Sequence, residues 1–438
     1  MLGPLSLATV TIALPVIAID LAASARIVSW IPTGFLLSSV IFMLPAGKFA
    51  DIYGRKRVYL LGVISTGLIS VAASFVQTAE WLLFWRFMQG FSMAVIFGTG
   101  LAILMSVYSG KHRGMAMGVY TGSVYFALTV SPVLGGLSTE YWGWRSVFWI
   151  QAPLSFVVVG MIVFTMPGEW RNAVKRKFDW TGSAIFAGWA ATFVFGLSGL
   201  PDLSSIVTLL ISVPYLGLFI WHQARVESPL ISMTLFTNNR IFSFSLIASV
   251  LMYSVNFPLH FLLSIFLQIV NGLSPTYAGI IMVFQAFMMA IVSPIAGRVS
   301  DRIQPRIVAT MGCLGCVLGF FIIWAVSSTG SNGLMALGLA CVGIGFAFFT
   351  TPNNSAAMGA VEKKELGTAS SAVNLARSLG NLVGMSLMAL IIHSLIGDQT
   401  FSLELSDELV VSLQSWMWIA ICLAGLASVF SLFRGRST

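Results

Sequence analysis

The sequence predicts an all-α, polytopic membrane protein with fourteen membrane-spanning helices. Of its 438 residues, 57% are hydrophobic and 9% are charged, and long apolar runs alternate with short polar segments. Soluble domains carry about 25% charged residues, so the composition excludes an ordinary soluble enzyme. The net charge of +8 is spread along the chain without a basic cluster, which excludes a nucleic-acid-binding protein. A membrane β-barrel would show short alternating segments, and the sequence has none.

The individual spans follow from the length of the apolar runs. A helix needs about 20 apolar residues to cross the hydrocarbon core. Runs of this kind predict spans at 2–19, 28–47, 58–76, 81–107, 115–137, 146–166, 180–198, 204–222, 242–268, 276–297, 307–326, 333–352, 367–393 and 412–433.

The orientation of the spans follows from the basic residues in the loops, because cytoplasmic loops carry an excess of Lys and Arg. Placing the N-terminus in the cytoplasm puts nineteen of the 23 basic residues on the cytoplasmic side. The opposite side holds only Arg26 and Arg145, and Arg86 and Arg377 fall within spans. Both termini are therefore predicted to be cytoplasmic.

The first span begins directly after Met1, without a polar leading segment. We expect that translation begins further upstream. The alternative is a cleaved signal peptide ending near Ala23-Ser24-Ala25, but that segment lacks the positive leading region of signal peptides.

The sequence shows no catalytic or metal-binding pattern. There is no Ser/His/Asp grouping, no H-E-x-x-H and no phosphate-binding Gly-rich loop, so we predict neither an enzyme nor a cofactor. Cys313 and Cys316 form a C-x-x-C pair inside a span, without a second pair or a nearby histidine. We interpret them as packing residues and expect no metal.

A repeated segment divides the chain into halves. Gly47-Lys-Phe-Ala-Asp51 follows the second span and Gly297-Arg-Val-Ser-Asp301 follows the tenth. The repeat fits two six-span halves once a two-span segment is removed between them. We predict an N-terminal six-helix bundle at 1–170, a two-helix insertion with its cytoplasmic loops at 171–240, and a C-terminal six-helix bundle at 241–438. Parallel halves that rock around a central site are typical of transporters.

Further motifs occur in a fixed order. They are Ala13-Leu14-Pro15, Trp30, Arg86-Phe-Met-Gln89-Gly90, Gly122 with Ser131-Pro132-Val-Leu-Gly135-Gly136, Trp144-Arg145-x-x-Phe148-x-Ile150-Gln151-Ala-Pro153, Phe178-Asp179-Trp180-x-Gly182, Pro352-Asn353-Asn354 and Asn374-x-x-Arg377-x-x-Gly380. Together with the repeat, this order resembles the fourteen-span drug:proton antiporter subfamily of the major facilitator superfamily. The resemblance covers nearly the whole chain and implies the major facilitator-type fold.

The repeated segments carry charges where the halves would meet, and we predict a conformational latch there. Its residues are Gly47, Asp51, Gly54, Arg55, Arg57, Gly297, Asp301 and Arg302. The alternative is a pair of basic loops that only fix topology.

The fifth span carries a bend of small residues and proline. Its residues are Gly122, Ser131, Pro132, Gly135 and Gly136. In the subfamily that the chain resembles, this motif marks antiporters, because the bend governs closure between the halves. Packing alone is the alternative explanation, and here Ser131 stands where the subfamily usually has Gly.

Polar residues within the spans or directly at their ends are candidates for the substrate cavity, because charge and amides are costly in hydrocarbon and are retained for function. They are Gln89, Gln151, Gln285, Asn353, Asn354, Asn374 and Arg377. Arg377 is predicted to lie near the midplane, as a cavity residue or as a structural brace. For Arg86, the resemblance implies that it tunes a nearby proton-carrying carboxylate together with Gln89, and the alternative is snorkelling to the outer surface.

The proton-coupling residue is harder to place. Members of the subfamily typically carry an Asp nine residues before Pro15, where this chain has Ser6, and none of its 15 carboxylates lies well inside a span. The candidates are Asp20, Arg86, Glu140 and His260. For His260, a hydrogen-bonded buried imidazole without a coupling role is the alternative.

The resemblance implies a secondary active transporter in the bacterial inner (plasma) membrane that exports lipophilic small molecules by alternating access, driven by the proton gradient. We expect a monomer in the lipid bilayer, with a periplasmic adaptor in a Gram-negative cell. The missing carboxylate suggests a preference for neutral, zwitterionic or weakly anionic amphiphiles. A transporter of one metabolite or organic anion, and a non-transporting receptor or scaffold, are the alternatives.

Overall fold

The computed structural model describes residues 2–107, 113–166, 168–169, 178–231, 233–237, 239–361 and 366–435. In this part of the chain the long elements are all helices, which confirms the predicted class. They are α1 (Leu2–Asp20), α2 (Ala25–Tyr53), α3 (Arg55–Ser74), α4 (Ala79–Val107), α5 (Arg113–Trp142), α6 (Ser146–Thr165), α7 (Trp180–Ser198), α8 (Leu203–Arg225), α10 (Arg240–Ile265), α11 (Pro275–Arg302), α12 (Pro305–Val326), α13 (Asn332–Gly359), α14 (Leu366–Leu395) and α15 (Ser406–Phe433). The short helix α9 (Thr234–Thr237) precedes α10.

Each of the fourteen predicted spans corresponds to one long helix. Thirteen of these helices have a described window apolar enough to cross a membrane. The remaining one, α5, is 30 residues long and contains the predicted span 115–137. Leu2–Asp20 and Trp180–Ser198 lie within one residue of their predicted bounds.

The helices extend further on the cytoplasmic side than the sequence predicts. Helix α2 continues to Tyr53 and is broken only at Gly54, whose φ of 115° favours glycine. Helix α11 likewise continues to Arg302. The prediction that the segments after Gly47 and Gly297, which contain Asp51 and Asp301, lie outside the helices was therefore wrong. An apolar run in the sequence ends where the hydrocarbon layer ends, whereas the backbone hydrogen bonds of a helix can continue into the interfacial region.

The long helices pack as two six-helix groups. In the first, α2 and α3 pack on α4, α3 packs on α6, and α1 packs on α5. In the second, α13 packs on α11 and α12, and α10 packs on α14 and α15. The groups meet through α5 with α11, α2 with α14, and α1 with α10.

Close crossings within these groups depend on glycine. A Cβ on Gly90 of α4 would lie 2.2 Å from the carbonyl oxygen of Phe35 in α2. A Cβ on Gly384 of α14 would lie 2.0 Å from the carbonyl oxygen of Ser254 in α10. Small residues give membrane helices this backbone proximity, because no hydrophobic effect drives helices together within lipid.

The inserted helices α7 and α8 form a hairpin at the seam between the two groups. Helix α7 contacts both α2 and α14, and Trp30 of α2 stacks on Phe195 of α7 with ring centroids 4.8 Å apart. Most side chains of α8 are exposed, so α8 lies on the outside of α7 and faces lipid. The insertion therefore covers one edge of the seam.

A buried carboxylate joins the cytoplasmic ends of the hairpin. Asp179 caps α7 by accepting from Gly182 N at 2.8 Å, and it also accepts from His222 Nε2 and Gln223 Nε2 of α8, each at 2.8 Å. Gln223 Oε1 in turn accepts from the backbone N–H groups of Leu230 and Ile231. This network ties both helices to the segment that leads into α9.

Replacing Asp179 by Asn should destabilise the protein by about 1–3 kcal/mol, because an amide nitrogen cannot accept from His222 or Gln223. Thermal unfolding of the purified protein would measure this change. The matched control is Asp202→Asn at the N-terminus of α8, where the exposed side chain makes no hydrogen bond to its own helix and lies 4.0 Å from His393. An equal loss in both variants would contradict the assigned role.

Acid should weaken the same network. Burial raises the pKa of Asp179, but the hydrogen bonds from His222, Gly182 and Gln223 lower it by more than burial raises it. The pKa of Asp179 therefore lies below the ordinary 3.8. A lowered carboxyl pKa stabilises the folded state above the ordinary pKa, and the contribution is lost as pH falls through the folded value. The Tm difference between wild type and Asp179→Asn should therefore shrink below about pH 4.

Candidate transport site

Arg86 lies at the centre of a polar cluster in the first helix group. Its side chain is 0% exposed, and its guanidinium lies over the ring of Phe35, 4.4 Å from the centroid. One terminal nitrogen, Nη1, donates to Gln89 Oε1 at 2.7 Å and contacts the carbonyl and hydroxyl oxygens of Ser6 at 3.4 and 3.5 Å. Snorkelling to the surface is therefore wrong for Arg86.

The cluster continues through the interior of the group. Gln89 Nε2 donates to Ser70 Oγ at 2.9 Å, and Ser70 Oγ donates to Gln151 Oε1 at 3.5 Å. All three side chains are at most 1% exposed. The two predicted cavity residues Gln89 and Gln151 thus belong to one chain of hydrogen bonds between α4, α3 and α6.

Arg377 is the arginine within a predicted span of the second group. It lies on α14, with its guanidinium 5.5 Å from the ring centroid of Tyr253 in α10, and it is half-buried. Its Nε atom is buried without a hydrogen-bond partner among the described residues. Asn374, one turn away, and Asn354 of α13 are also half-buried. Arg377 is therefore a cation held beside an aromatic ring, with no carboxylate against it in the described structure.

Asn353 has different neighbours from those expected of a cavity residue. Its Nδ2 donates to the carbonyl oxygen of Ser245 at 3.0 Å and to Ser249 Oγ at 2.9 Å, and its Oδ1 accepts from Arg434 at 2.7 Å. Arg434 follows α15 and is only 1% exposed. The amide thus joins α13, α10 and the end of α15, and its polar atoms are engaged by protein.

His260 and Gln285 both form hydrogen bonds with Asn256 of α10. Nδ1 of His260 lies 3.0 Å from the carbonyl oxygen of Asn256, one turn earlier in α10. Gln285 Nε2 donates to Asn256 Oδ1, while Gln285 Oε1 is buried without a partner among the described residues. The imidazole is therefore hydrogen-bonded within its own helix. This arrangement agrees with the alternative to a proton-coupling role, a hydrogen-bonded imidazole.

The two helix groups meet at their outer ends. Glu140 of α5 accepts from the backbone N–H of Thr276 in α11 at 3.1 Å. Gln268 donates to the carbonyl oxygen of Ile12 in α1 at 2.9 Å, and Ala25 N donates to the carbonyl oxygen of Gln399 at 2.7 Å. These three hydrogen bonds join the two groups in the outer half, so the outer side is closed at these contacts.

The bend of α5 lies at this outer contact. A Cβ on Gly135 would lie 2.8 Å from Thr9 Cα in α1, and one on Gly136 would lie 2.5 Å from the carbonyl oxygen of Pro275 in α11. A Cβ on Gly279 of α11 would lie 2.4 Å from the carbonyl oxygen of Pro132. Ser131 Oγ donates to the carbonyl oxygen of Ala127 within α5. The bend residues thus allow α5 to touch both groups; the surroundings of Gly122 lie outside the described residues.

The charges of the predicted latch have mostly local partners. Asp51 pairs with Arg55 at 2.8 Å, one turn away. Arg57 lies 3.6 Å from Glu169, which follows α6 and also accepts from Lys56 N at 2.9 Å. The side chain of Asp301 lies outside the described residues. The latch between the halves remains a prediction, and Glu169 is a partner that sequence reasoning missed.

Other residues missed by the sequence reasoning are Ser70, Asn256 and Gln268. Each is a single polar residue in an apolar run and belongs to none of the motifs. An inventory of every amide and hydroxyl within the spans would have included them, but their partners on other helices are visible only in the fold. Asp20, a predicted proton-coupling candidate, accepts from Trp144 Nε1 at 2.8 Å and pairs with Arg145 at 2.9 Å on the outer surface, partners that were likewise not predicted.

Comparison with known proteins identifies the family. The family model of the Major Facilitator Superfamily matches residues 1–385. The chain belongs to the Major Facilitator Superfamily. The methyl viologen resistance protein SmvA of Salmonella typhimurium is 32% identical over 391 residues, which cover 87% of this chain and 78% of SmvA.

Two further relatives extend this comparison. The multidrug resistance protein Stp of Mycobacterium tuberculosis is 28% identical over 86% of this chain and 71% of its own length. The riboflavin transporter RibZ of Clostridioides difficile is 27% identical over 98% of this chain and 93% of its own length. This major facilitator protein is therefore a multi-pass membrane transporter.

Solved structures agree with the fold. A bacterial homolog of the human lysosomal transporter Spinster, in an inward-facing and occupied conformation, has a TM-score of 0.66 and 17% identity. The aligned region covers 99% of this chain and 94% of the homolog's chain. An auto-inhibited peptide transporter of the POT family has a TM-score of 0.68 and 14% identity, with coverage of 100% and 96%.

Replacing Gly136 by Val should separate α5 from α11 on the outer side of this transporter, because the added side chain meets the backbone of Pro275. Ser264→Cys, in a chain without other cysteines, reports opening of the outer contact between the groups, because Ser264 of α10 is buried and its Oγ lies 3.5 Å from the carbonyl oxygen of Ile12 in α1. Its labelling from outside by an impermeant maleimide should rise several-fold. Gly160→Val is the control, since a Cβ on Gly160 meets nothing within 4 Å. Unchanged labelling in Gly136→Val would contradict the assigned contact.

External acid should act on the same contact through Glu140, which lies beyond the predicted end of the fifth span. Hydrogen bonds from Thr276 and Ser274 lower the pKa of Glu140 below its ordinary 4.5. The closed contact is therefore favoured above that pKa and weakens as pH falls through the lowered value. Asp20 and Arg145 are charged groups on the same outer surface.

The cysteine at position 264 also measures this dependence. Its external labelling should increase as the outside pH is lowered toward 4, and Glu140→Gln should remove the pH dependence. An identical pH profile in Glu140→Gln would show that another group controls outer closure.

Proposed function

We propose that this transporter exports lipophilic small molecules from a bacterial cell in exchange for protons. Export is supported by the names of Stp and SmvA, which describe resistance, and by a probable actinorhodin transporter of Streptomyces coelicolor that is 27% identical over 89% of this chain. We also propose that the bundles at 1–170 and 241–438 rock against each other, with the insertion at 171–240 covering their seam.

The proposed class of substrate, a neutral, zwitterionic or weakly acidic amphiphile, rests on the positive charge of the arginines within the helix groups. Arg86 and Arg377 are cations within the helix groups, and neither has a carboxylate partner in the described structure. Arg377 is partly exposed and lies beside an aromatic ring, whereas Arg86 is enclosed. We therefore assign substrate contact to Arg377.

A cation near the membrane midplane favours ligands that bring an acceptor or a negative charge, because the bilayer core offers neither. Tyr253 and its aromatic neighbour Phe346, with ring centroids 5.1 Å apart, supply an apolar surface next to the guanidinium. An amphiphile with a neutral, zwitterionic or weakly acidic polar group fits this combination better than a dication. The substrate preference follows from this arrangement.

A second candidate function is export of dicationic compounds. It is favoured by the name of SmvA, since methyl viologen carries two permanent positive charges. In that case the ligand would avoid Arg377 and bind to aromatic side chains through cation–π contacts. The two functions differ in the effect of removing the Arg377 charge.

Transport in everted vesicles should distinguish them. An aromatic carboxylate and a size-matched aromatic dication are added separately, and acidification is followed with a pH-sensitive dye. The proposed function predicts proton movement with the carboxylate, and Arg377→Ala should lower its apparent affinity about 10-fold, the loss of one charged hydrogen bond.

The matched control is Arg225→Ala, which removes an arginine lying 4.5 Å from the ring centroid of Trp221 on the lipid-facing α8. Its transport should equal that of wild type. Better transport of the dication, unaffected by Arg377→Ala, would establish the second function. Absence of proton movement with every transported compound would contradict proton exchange.

A further inference from the structure

One face of α10 is accessible along the middle of the helix. Between positions 252 and 260, every side chain is buried except those of Tyr253, Asn256 and His260. These three residues are three and four positions apart, so they lie on the same face of the helix. Each carries a polar group, and polar side chains that stay accessible within a span line an internal cavity rather than lipid. This face therefore borders the same space as Arg377, whose guanidinium lies 5.5 Å from the ring centroid of Tyr253.

The side-chain amide of Asn256 is held by the protein through its oxygen alone. Gln285 Nε2 of α11 donates to Asn256 Oδ1, and Gln285 is only 1% exposed, so this bond fixes the Asn256 amide from inside the protein. Asn256 Nδ2 has no hydrogen-bond partner among the described residues, and the side chain is half-buried rather than enclosed. Two N–H donors of a preoriented amide are therefore available to a ligand.

Asn256 lies one turn from the cation to which we assign substrate contact. It follows Tyr253 by three residues, which is about 4.5 Å along the helix axis, toward Ser264 and the closed outer contact. A ligand whose acidic group meets Arg377 beside Tyr253 passes Asn256 when it extends along α10. This face of the cavity thus offers a positive charge, an aromatic ring and a pair of N–H donors in that order.

We propose that Asn256 determines substrate specificity by donating from Nδ2 to a carbonyl or other uncharged acceptor oxygen of the ligand, apart from its acidic group. This inference rests on the proposed function, in which Arg377 contacts the acidic group. It narrows the substrate class to aromatic acids and zwitterions that carry a second acceptor. A ligand with an apolar group at this place covers the N–H donors without accepting from them and binds more weakly.

Two size-matched probes isolate this contact. In meta-benzoylphenylacetate a ketone joins the two rings, whereas in meta-benzylphenylacetate a methylene group joins them. Their dissociation constants are measured by calorimetry with the purified full-length protein, so the result does not depend on transport. Wild type should bind the ketone about 5-fold more tightly than the methylene compound, the effect of one neutral hydrogen bond.

Asn256→Leu removes the amide at nearly constant volume and should abolish this preference for the ketone. Because the substitution leaves Gln285 Nε2 without its acceptor, a second variant combines it with Gln285→Leu, which removes both partners and should abolish the preference in the same way. Arg377→Ala should weaken both compounds by about the same factor and keep their ratio.

The matched control is Asn271→Leu, which removes an amide that donates to Asn332 Oδ1 at 2.7 Å beyond the outer end of α10. It should bind both compounds as wild type does. Equal affinity of wild type for the two compounds, or a ketone preference retained in both Asn256 variants, would overturn the role of Asn256 and leave the proposed function standing. Binding of neither compound to wild type would overturn the proposed substrate class together with this inference.

Discussion

The cost of leaving a charge or a polar group without a partner in hydrocarbon governs this structure. It forces the chain into helices that satisfy their own backbone groups, and it places most of the described Lys and Arg residues near the ends of these helices or between them. Arg86 and Arg434 are the buried exceptions, and each is surrounded by oxygen atoms of neighbouring helices. The polar clusters of the two helix groups form around these two guanidinium groups.

Contact between the two groups depends on packing rather than on strong polar bonds. Gly135, Gly136 and Gly279 bring α5 against α1 and α11 at backbone distance. The accompanying hydrogen bonds among the described residues include a carboxylate on a helix N-terminus, a glutamine and a serine on one carbonyl, and one backbone pair. Such an interface can separate without exposing a buried ion pair, and this property suits a protein whose halves must part on each side in turn.

The sequence predicted the spans well, because long apolar runs reflect a single constraint, the thickness of the bilayer. The bend of α5 was also recognisable, since Pro132 and the glycines around it are unusual within an apolar run. The candidate site was less predictable. Gln89 and Gln151 were identified individually, but their connection through Ser70 was not, and Asn353 proved to be engaged by Arg434. A polar residue in a span indicates that it has a polar partner, but the sequence does not show which helix carries that partner.

By itself, the sequence determined the number of helices, their orientation and the presence of two related halves, because hydropathy and charge act locally along the chain. Only the tertiary structure decided which polar side chains meet, that α7 lies at the seam between the halves, and that the outer side is closed. These features depend on close contacts between helices that are far apart in sequence. The distance between Glu140 and Thr276, or between Gln268 and Ile12, is set by packing of whole helices, and no local pattern encodes it.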